Sequence, residues 1–215
     1  MSNPANLSDM LEIKTFTFGP FETNTYVVSN EQEVWLIDPA CSNEYERQQL
    51  ERAIENCRLQ IEDCRLKIVA THGHLDHLWG AKWATEKWGV PVLMHEADIP
   101  MAQAMQQQYD LFGIRTKAES FPVERLQNTE YRVQTGLEII ETPGHTPGSV
   151  CFYWPEEKVL ISGDTLFCMG YGRTDLPGGN FGQLIDSLER LFMLPEDVKV
   201  YPGHGEMTSI GAEKR

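Results

Sequence analysis

No stretch of the 215-residue chain approaches the roughly 20 consecutive apolar residues that a membrane-spanning helix needs. Basic residues are scarce too: 18 Lys and Arg against 32 Asp and Glu leave a net charge of −14. That deficit argues against nucleic acid or an anionic membrane surface as partner, because both are held by clustered Lys and Arg. The opening residues Met1-Ser2-Asn3-Pro4-Ala5-Asn6 have neither the basic nor the apolar segment of a secretory signal, so the expected location is cytoplasmic. The five cysteines (Cys41, Cys57, Cys64, Cys151, Cys168) are odd in number and form no C-x-x-C pair. They read as reduced thiols, not as a disulfide framework. Internal repeats, low-complexity runs and Pro/Ser-rich linkers are also missing, so residues 1–215 are expected to form a single domain.

What is present is a 41% apolar, 23% charged composition, that of a globular protein, with strand and helix signals interleaved. Extended segments are expected at Ile13–Phe18, Thr25–Ser29 and Val34–Ile37, then at Lys67–Ala70 and Pro91–Met94. Further strands are expected at Leu137–Ile140, Val150–Trp154, Val159–Ile161 and Val198–Tyr201. Helical patterns cover Tyr45–Arg58, Leu78–Trp88, Ala97–Leu111 and Gln183–Met193. In the third of these Met101, Met105 and Tyr109 share a face, with Phe112 beyond, which reads as core packing in preference to a lid. Sheets covered by helices, an α+β layered domain, follow from this order.

Four strand ends repeat one arrangement: a short apolar strand, a turn, then a residue able to bind a metal. Lys67–Ala70 leads into Thr71, His72, Gly73, His74, Leu75, Asp76 and His77. Ile139-Ile140 leads to His145, Val159–Ile161 to Asp164, and Val198–Val200 to His204. Strands of one sheet align their ends, so loops at one edge can gather distant residues. A catalytic zinc-type ion takes three protein ligands plus water. Five histidines and two aspartates therefore fit two divalent ions, three histidines on one, Asp76, His77 and His204 on the other, with one aspartate spanning both. The absence of cysteine from the set argues against a closed structural zinc site. His95 sits apart from the pattern and reads as a surface or supporting residue.

In this order His72, His74, Asp76, His77, His145, Asp164 and His204 resemble the ligand set of the metallo-β-lactamase superfamily. The segments Phe21–Tyr26, Thr142–Ser149, Ser162–Phe167 and Gly172–Asp175 resemble more narrowly its glyoxalase II-like, or hydroxyacylglutathione hydrolase, branch. The resemblance implies an αββα four-layer sandwich with two metal ions, zinc in the first instance and iron or manganese as alternatives. It implies His72, His74 and His145 on the first ion, Asp76, His77 and His204 on the second, and Asp164 as bridge. Asp38 matches a supporting acid, with Ala40 where a glycine is common. Full-length enzymes of this branch continue into a helical domain whose basic residues help hold glutathione, whereas this chain stops eleven residues after His204. Arg173, Tyr171 and Asn180 are then the candidates for substrate contact, Arg173 reading equally as a structural salt bridge.

The expected activity is hydrolysis of a small-molecule thioester of the S-lactoylglutathione type, by attack of a metal-bridging hydroxide. In this reading Asp76 and Asp164 are the catalytic carboxylates. A persulfide dioxygenase with one iron and a zinc lactonase share the ligand pattern. A β-lactamase is disfavoured because a bridging Asp164 is no part of that site, a nuclease because the chain is short and acidic. A non-catalytic metal-binding protein is the remaining alternative.

Overall fold

Successive side chains of a strand point to opposite faces, and in the central strands both faces are apolar. The computed structural model describes residues 11–61, 64–127 and 136–214. Strands β1 (Glu12–Phe18), β2 (Thr23–Ser29), β3 (Glu33–Ile37), β4 (Arg65–Val69), β5 (Val92–Met94) and β6 (Val123–Arg125) form one sheet in that spatial order. The first two pairings are antiparallel and the other three parallel. The second sheet has the order β13 (Thr208–Ser209), β12 (Lys199–Pro202), β9 (Val159–Gly163), β8 (Val150–Trp154), β7 (Glu138–Glu141). A small hairpin, β10 (Leu166–Phe167) with β11 (Gly170–Tyr171), stands beside it.

Alternation along β3 sorts the layers. Val34 and Leu36 face the helices, while Trp35 and Ile37 face the second sheet. From the opposite side, Val150, Phe152 and Trp154 of β8 fill the space between the sheets and Cys151 and Tyr153 turn outward. Helix α1 (Glu44–Gln60) lays Leu50, Ala53, Ile54 and Cys57, a helical i, i+3, i+4, i+7 stripe, on the first sheet. Helix α5 (Phe181–Leu191) lays Leu184, Leu188 and Leu191 on the second. Asn43 and Asn180 cap these two helices by accepting the backbone N–H three residues on. The result is the expected αββα sandwich. No helix among the described residues is long and apolar enough to cross a membrane. All five cysteines are free, and burial pushes the Cys41 thiol up to about 12 and that of Cys151 to about 11.

Two helices depart from the expected bounds. The pattern over Leu78–Trp88 becomes α2 (Ala81–Trp88), because Gly80 is pressed against the turn after β3. A Cβ there would lie 2.3 Å from Cys41 Sγ. The Ala97–Leu111 pattern is three pieces: a 3₁₀ turn at Glu96–Asp98, α3 (Ile99–Gln103) and α4 (Met105–Leu111). Pro100 has no N–H to give to an earlier turn, and the chain breaks again at Ala104. The strands β6, β10, β11 and β13 and the short helix α6 (Ile210–Glu213) were not expected, since two to four residues carry no readable periodicity.

Candidate metal centre

Strands β7, β9 and β12 run in the same direction, so the loops after them, bearing His145, Asp164 and His204, emerge at one edge of their sheet. The loop after β4 brings His72 to His77 from the other sheet to the same edge. Two cross-sheet ties close the gap: Val150 N–H donates to Thr71 O at 2.9 Å, and Asn24 N–H to Gly203 O at 2.7 Å. The Asn24 amide also donates to Pro202 O and Gly205 O, both at 3.0 Å, which holds the His204 turn from β2.

Three overlapping clusters of ligand-type atoms result: His72 with His74 and His145, His72 with His77 and Asp164, and Asp76 with His77 and His204. Within each cluster the atoms lie within 4.8 Å of one another. His72 Nε2 is 3.1 Å from His74 Nδ1, which is 2.8 Å from His145 Nε2. Asp164 lies between the groups, 3.2 Å from His77 Nε2, 3.5 Å from His145 Nε2 and 3.6 Å from His204 Nε2. His204 Nε2 is 3.2 Å from Asp76 Oδ2. A side chain at position 203 would destroy this arrangement, since a Cβ there would sit 2.1 Å from Asp164 Oδ1.

Hydrogen bonds behind the rings decide which nitrogens face inward. His145 Nδ1 donates at 2.7 Å to the Arg173 carbonyl, which can only accept, so Nε2 presents a bare lone pair. His77 Nδ1 is held at 2.8 Å by Asp38 Oδ2. The Thr71 hydroxyl donates to the same oxygen at 2.7 Å and accepts at 3.0 Å from His72 Nδ1. Asp38 also accepts the Thr71 N–H at 2.7 Å, and it sits at φ +53°, a left-handed conformation uncommon outside glycine. Thr23 donates to Asp76 Oδ2 at 2.9 Å.

This packing leaves His77 Nε2 and Asp164 Oδ1 buried and facing one another without a hydrogen bond. Burial, with His77 and His145 alongside, holds the His72 pKa far below its usual value. Burial and His145 push His74 down to about 3. Burial opposes charge on His77 as well, but Asp76, Asp164 and Asp38 outweigh it and raise its pKa. For Asp76 and Asp164 the neighbouring histidines outweigh burial and hold both carboxyls below their ordinary range. Imidazole nitrogens, ionised carboxylates and orphaned buried atoms converge on one space, which is the donor set that fits divalent cations of the zinc or iron type.

Above the cluster lies a cavity of about 370 Å³, walled by Phe21, Leu75, Phe112, Phe167, Tyr171 and Leu176. The three expected substrate residues fare differently. Tyr171 is half exposed on the wall. Arg173 borders the cavity, and its exposed guanidinium is paired bidentately with Asp175 at 2.7 and 2.6 Å. Asn180 does not line the cavity, and its side chain caps α5. His95 caps the 3₁₀ turn and faces Glu141 at 3.6 Å, away from the cluster.

Asp98 was missed. Fully buried, it accepts from Gly73 N–H (2.8 Å), Gly148 N–H (2.6 Å) and the Thr146 hydroxyl (2.7 Å), joining the His74 loop to the His145 loop. Gln108 was missed as well, and its amide binds Leu75 N–H and the Gly73 and Met101 carbonyls. Neither carries a local signal, because their partners lie mostly far off along the chain.

Residues 18–204 match the family model of the metallo-beta-lactamase superfamily. The chain belongs to this superfamily. It is similar to hydroxyacylglutathione hydrolase GloC of Haemophilus influenzae, 33% identical with 95% of this chain and 96% of that protein covered. Among solved structures it is similar to TTHA1623 in a di-iron-bound form, 33% identical with a TM-score of 0.80, covering 94% of this chain and 97% of that one. It is also similar to the BLEG-1 B3 metallo-beta-lactamase, 32% identical with a TM-score of 0.78, covering 94% and 96%.

Proposed function

We propose that the protein is a dinuclear-metal thioester hydrolase acting on acyl-thiols of the S-lactoylglutathione kind. The observation that carries this reading is the position of Asp164 between two ligand groups that share one cavity. His72, His74 and His145 would hold one divalent ion, Asp76, His77 and His204 the other, with Asp164 common to both. We take zinc as the first candidate and iron, in view of the di-iron relative, as the second. Such ions supply Lewis acidity and lower the pKa of water toward about 7.

The chain's own residues do the rest. Arg173 O, Asp38 and Thr71 hold the outward nitrogens of His145, His77 and His72, so the inward ring nitrogens are aimed before any ligand arrives. Asp76, anchored by Thr23 and reaching the cavity, is placed to accept the proton of the attacking water. Asp76 and Asp164 start ionised, so the one proton on hand for a leaving group is that which Asp76 takes from the water. A thiolate needs none, whereas an amine does. That contrast favours thioesters over β-lactams, the second reading that the likeness to BLEG-1 supports.

The test is loss of S-lactoylglutathione with purified protein and metal content measured in the same sample. Turnover with two metals per chain is expected. Hydrolysis of a β-lactam without thioester turnover would replace the reading, as would oxygen uptake by a protein holding one iron.

A further inference from the structure

A second cavity, of about 290 Å³, opens from the first and shares His74, Phe112 and Leu176 with it. The rest of its lining is Pro100, Met101 and Pro177, Ala104 at the helix break, and Leu111 with the exposed Gln107 after it. Gln108 also borders the space, but its amide is consumed by three backbone partners. The entrance is apolar as well. Phe21 and Phe112 meet edge to face at 5.6 Å, and Leu111 is 60% exposed.

Resting on the thioesterase reading, we infer that this annex is the acyl pocket of the site and takes an apolar acyl chain. Biological thiol carriers are amide-rich and polar, which suits the part of the first cavity that the annex does not share, where Tyr171 and Arg173 lie. Only the acyl side of such a substrate can be wholly apolar. Charge points the same way. Among the described residues Arg173 is the one lysine or arginine lining either cavity, and Asp175 neutralises it, so recognition through substrate carboxylates has little to work with. Apolar burial is the remaining source of affinity, worth about a fourfold gain per methylene.

The experiment uses metal-loaded protein and two parallel series. Acetyl, butyryl and hexanoyl thioesters of N-acetylcysteamine are followed by hydrolysis, and acetate, butyrate and hexanoate by titration calorimetry. In the wild-type protein kcat/KM and carboxylate affinity should both climb about fourfold per methylene. Ala104→Phe, which fills the annex, should flatten both slopes, so that hexanoyl and acetyl differ by less than about fourfold. Leu111→Ser lies on the surface, leaves the core alone, and should lower the slope even if Ala104→Phe fails to fold. A flat wild-type slope, a slope untouched in the folded variants, or a slope that follows alkyl length on the thiol side overturns the acyl pocket while leaving thioester hydrolysis standing. Carboxylate affinity that climbs in the wild type and not in the variants, with no thioester hydrolysed, keeps the pocket and discards the thioesterase reading.

Discussion

The floor and the wall of the cavity are built on different principles. On the floor His72, His77 and His145 each have their outward nitrogen held by a named partner, and Asp98 and Asp38 lock the loops that carry them. On the wall Phe21, Leu111, Phe112 and Tyr171 are partly exposed, and Phe21 meets Phe112 through a ring edge. A metal site needs ligand atoms set to within a few tenths of an ångström, which directional hydrogen bonds enforce. A surface that selects apolar groups needs only area and shape. The contrast predicts that changes on the floor act on metal content and rate in large steps, while changes on the wall grade the choice of substrate.

The largest step is expected from Asp164→Ala. It should lower the metal content from two ions to one and thioester turnover by more than about a thousandfold, whereas two tightly bound metals in this variant would remove Asp164 from its shared place. Asp98→Ala changes none of the candidate ligands, yet strands two backbone N–H groups in the interior and leaves the Thr146 hydroxyl to Ser149 alone. Chemical denaturation should show a loss of about 3 kcal/mol or more. A loss under about 1 kcal/mol would mean that the two loops are held by something else. Asp38→Asn keeps the shape but no longer dictates the His77 tautomer, so metal affinity measured by competition with a chelator should fall about 10- to 100-fold.

Arg173→Ala sharpens the contrast from the wall. Alanine retains the carbonyl that orients His145, and the lost ion pair is exposed, so kcat/KM should change by less than about threefold. A drop beyond tenfold would make the guanidinium a substrate ligand after all. The smallest effect is expected away from the cavity. Glu46 accepts from Gly19 N–H, Ser42 N–H and the Ser42 hydroxyl, and these bonds outweigh its partial burial to hold its pKa below the usual carboxylate value. Its contribution is therefore complete above the unfolded pKa of about 4.3 and fades as the pH falls through the lower folded value. Glu46→Gln should cost about 1 kcal/mol at pH 7, and the gap between variant and wild type should close below about pH 4. A gap unchanged at low pH would deny the carboxylate this role.

Long or strongly periodic elements could be read directly. The apolar runs of β3, β8 and β9 and the stripe on α1 announce their burial, and the positions of His72, His74, Asp76, His77, His145, Asp164 and His204 at strand ends announced one shared edge. The break at Ala104 could not be read, because the Met101, Met105 and Tyr109 spacing continues across it while Pro100 had already weakened the turn. Of that face only Met105 is fully buried. Tyr109 packs at the margin of the core and Met101 lines the annex, so core packing describes part of it and the cavity wall the rest.

By itself, the amino-acid order determined the layers and the ligand inventory. Alternation and helical periodicity are local, and seven histidines and aspartates after short apolar strands are countable without coordinates. Only the tertiary structure decided how those residues are used. Asp98 reaches its partners across 25 to 50 residues, Asn180 is spent on a helix cap, Arg173 serves His145 through its backbone and Asp175 through its side chain, and the annex exists because a helix breaks beside His74. The Asp98 bonds and the tie from Arg173 O to His145 join segments distant in the chain, where no pattern along the sequence can register them, whereas the Asn180 cap and the Arg173–Asp175 pair are local contacts that the strand-end pattern does not address.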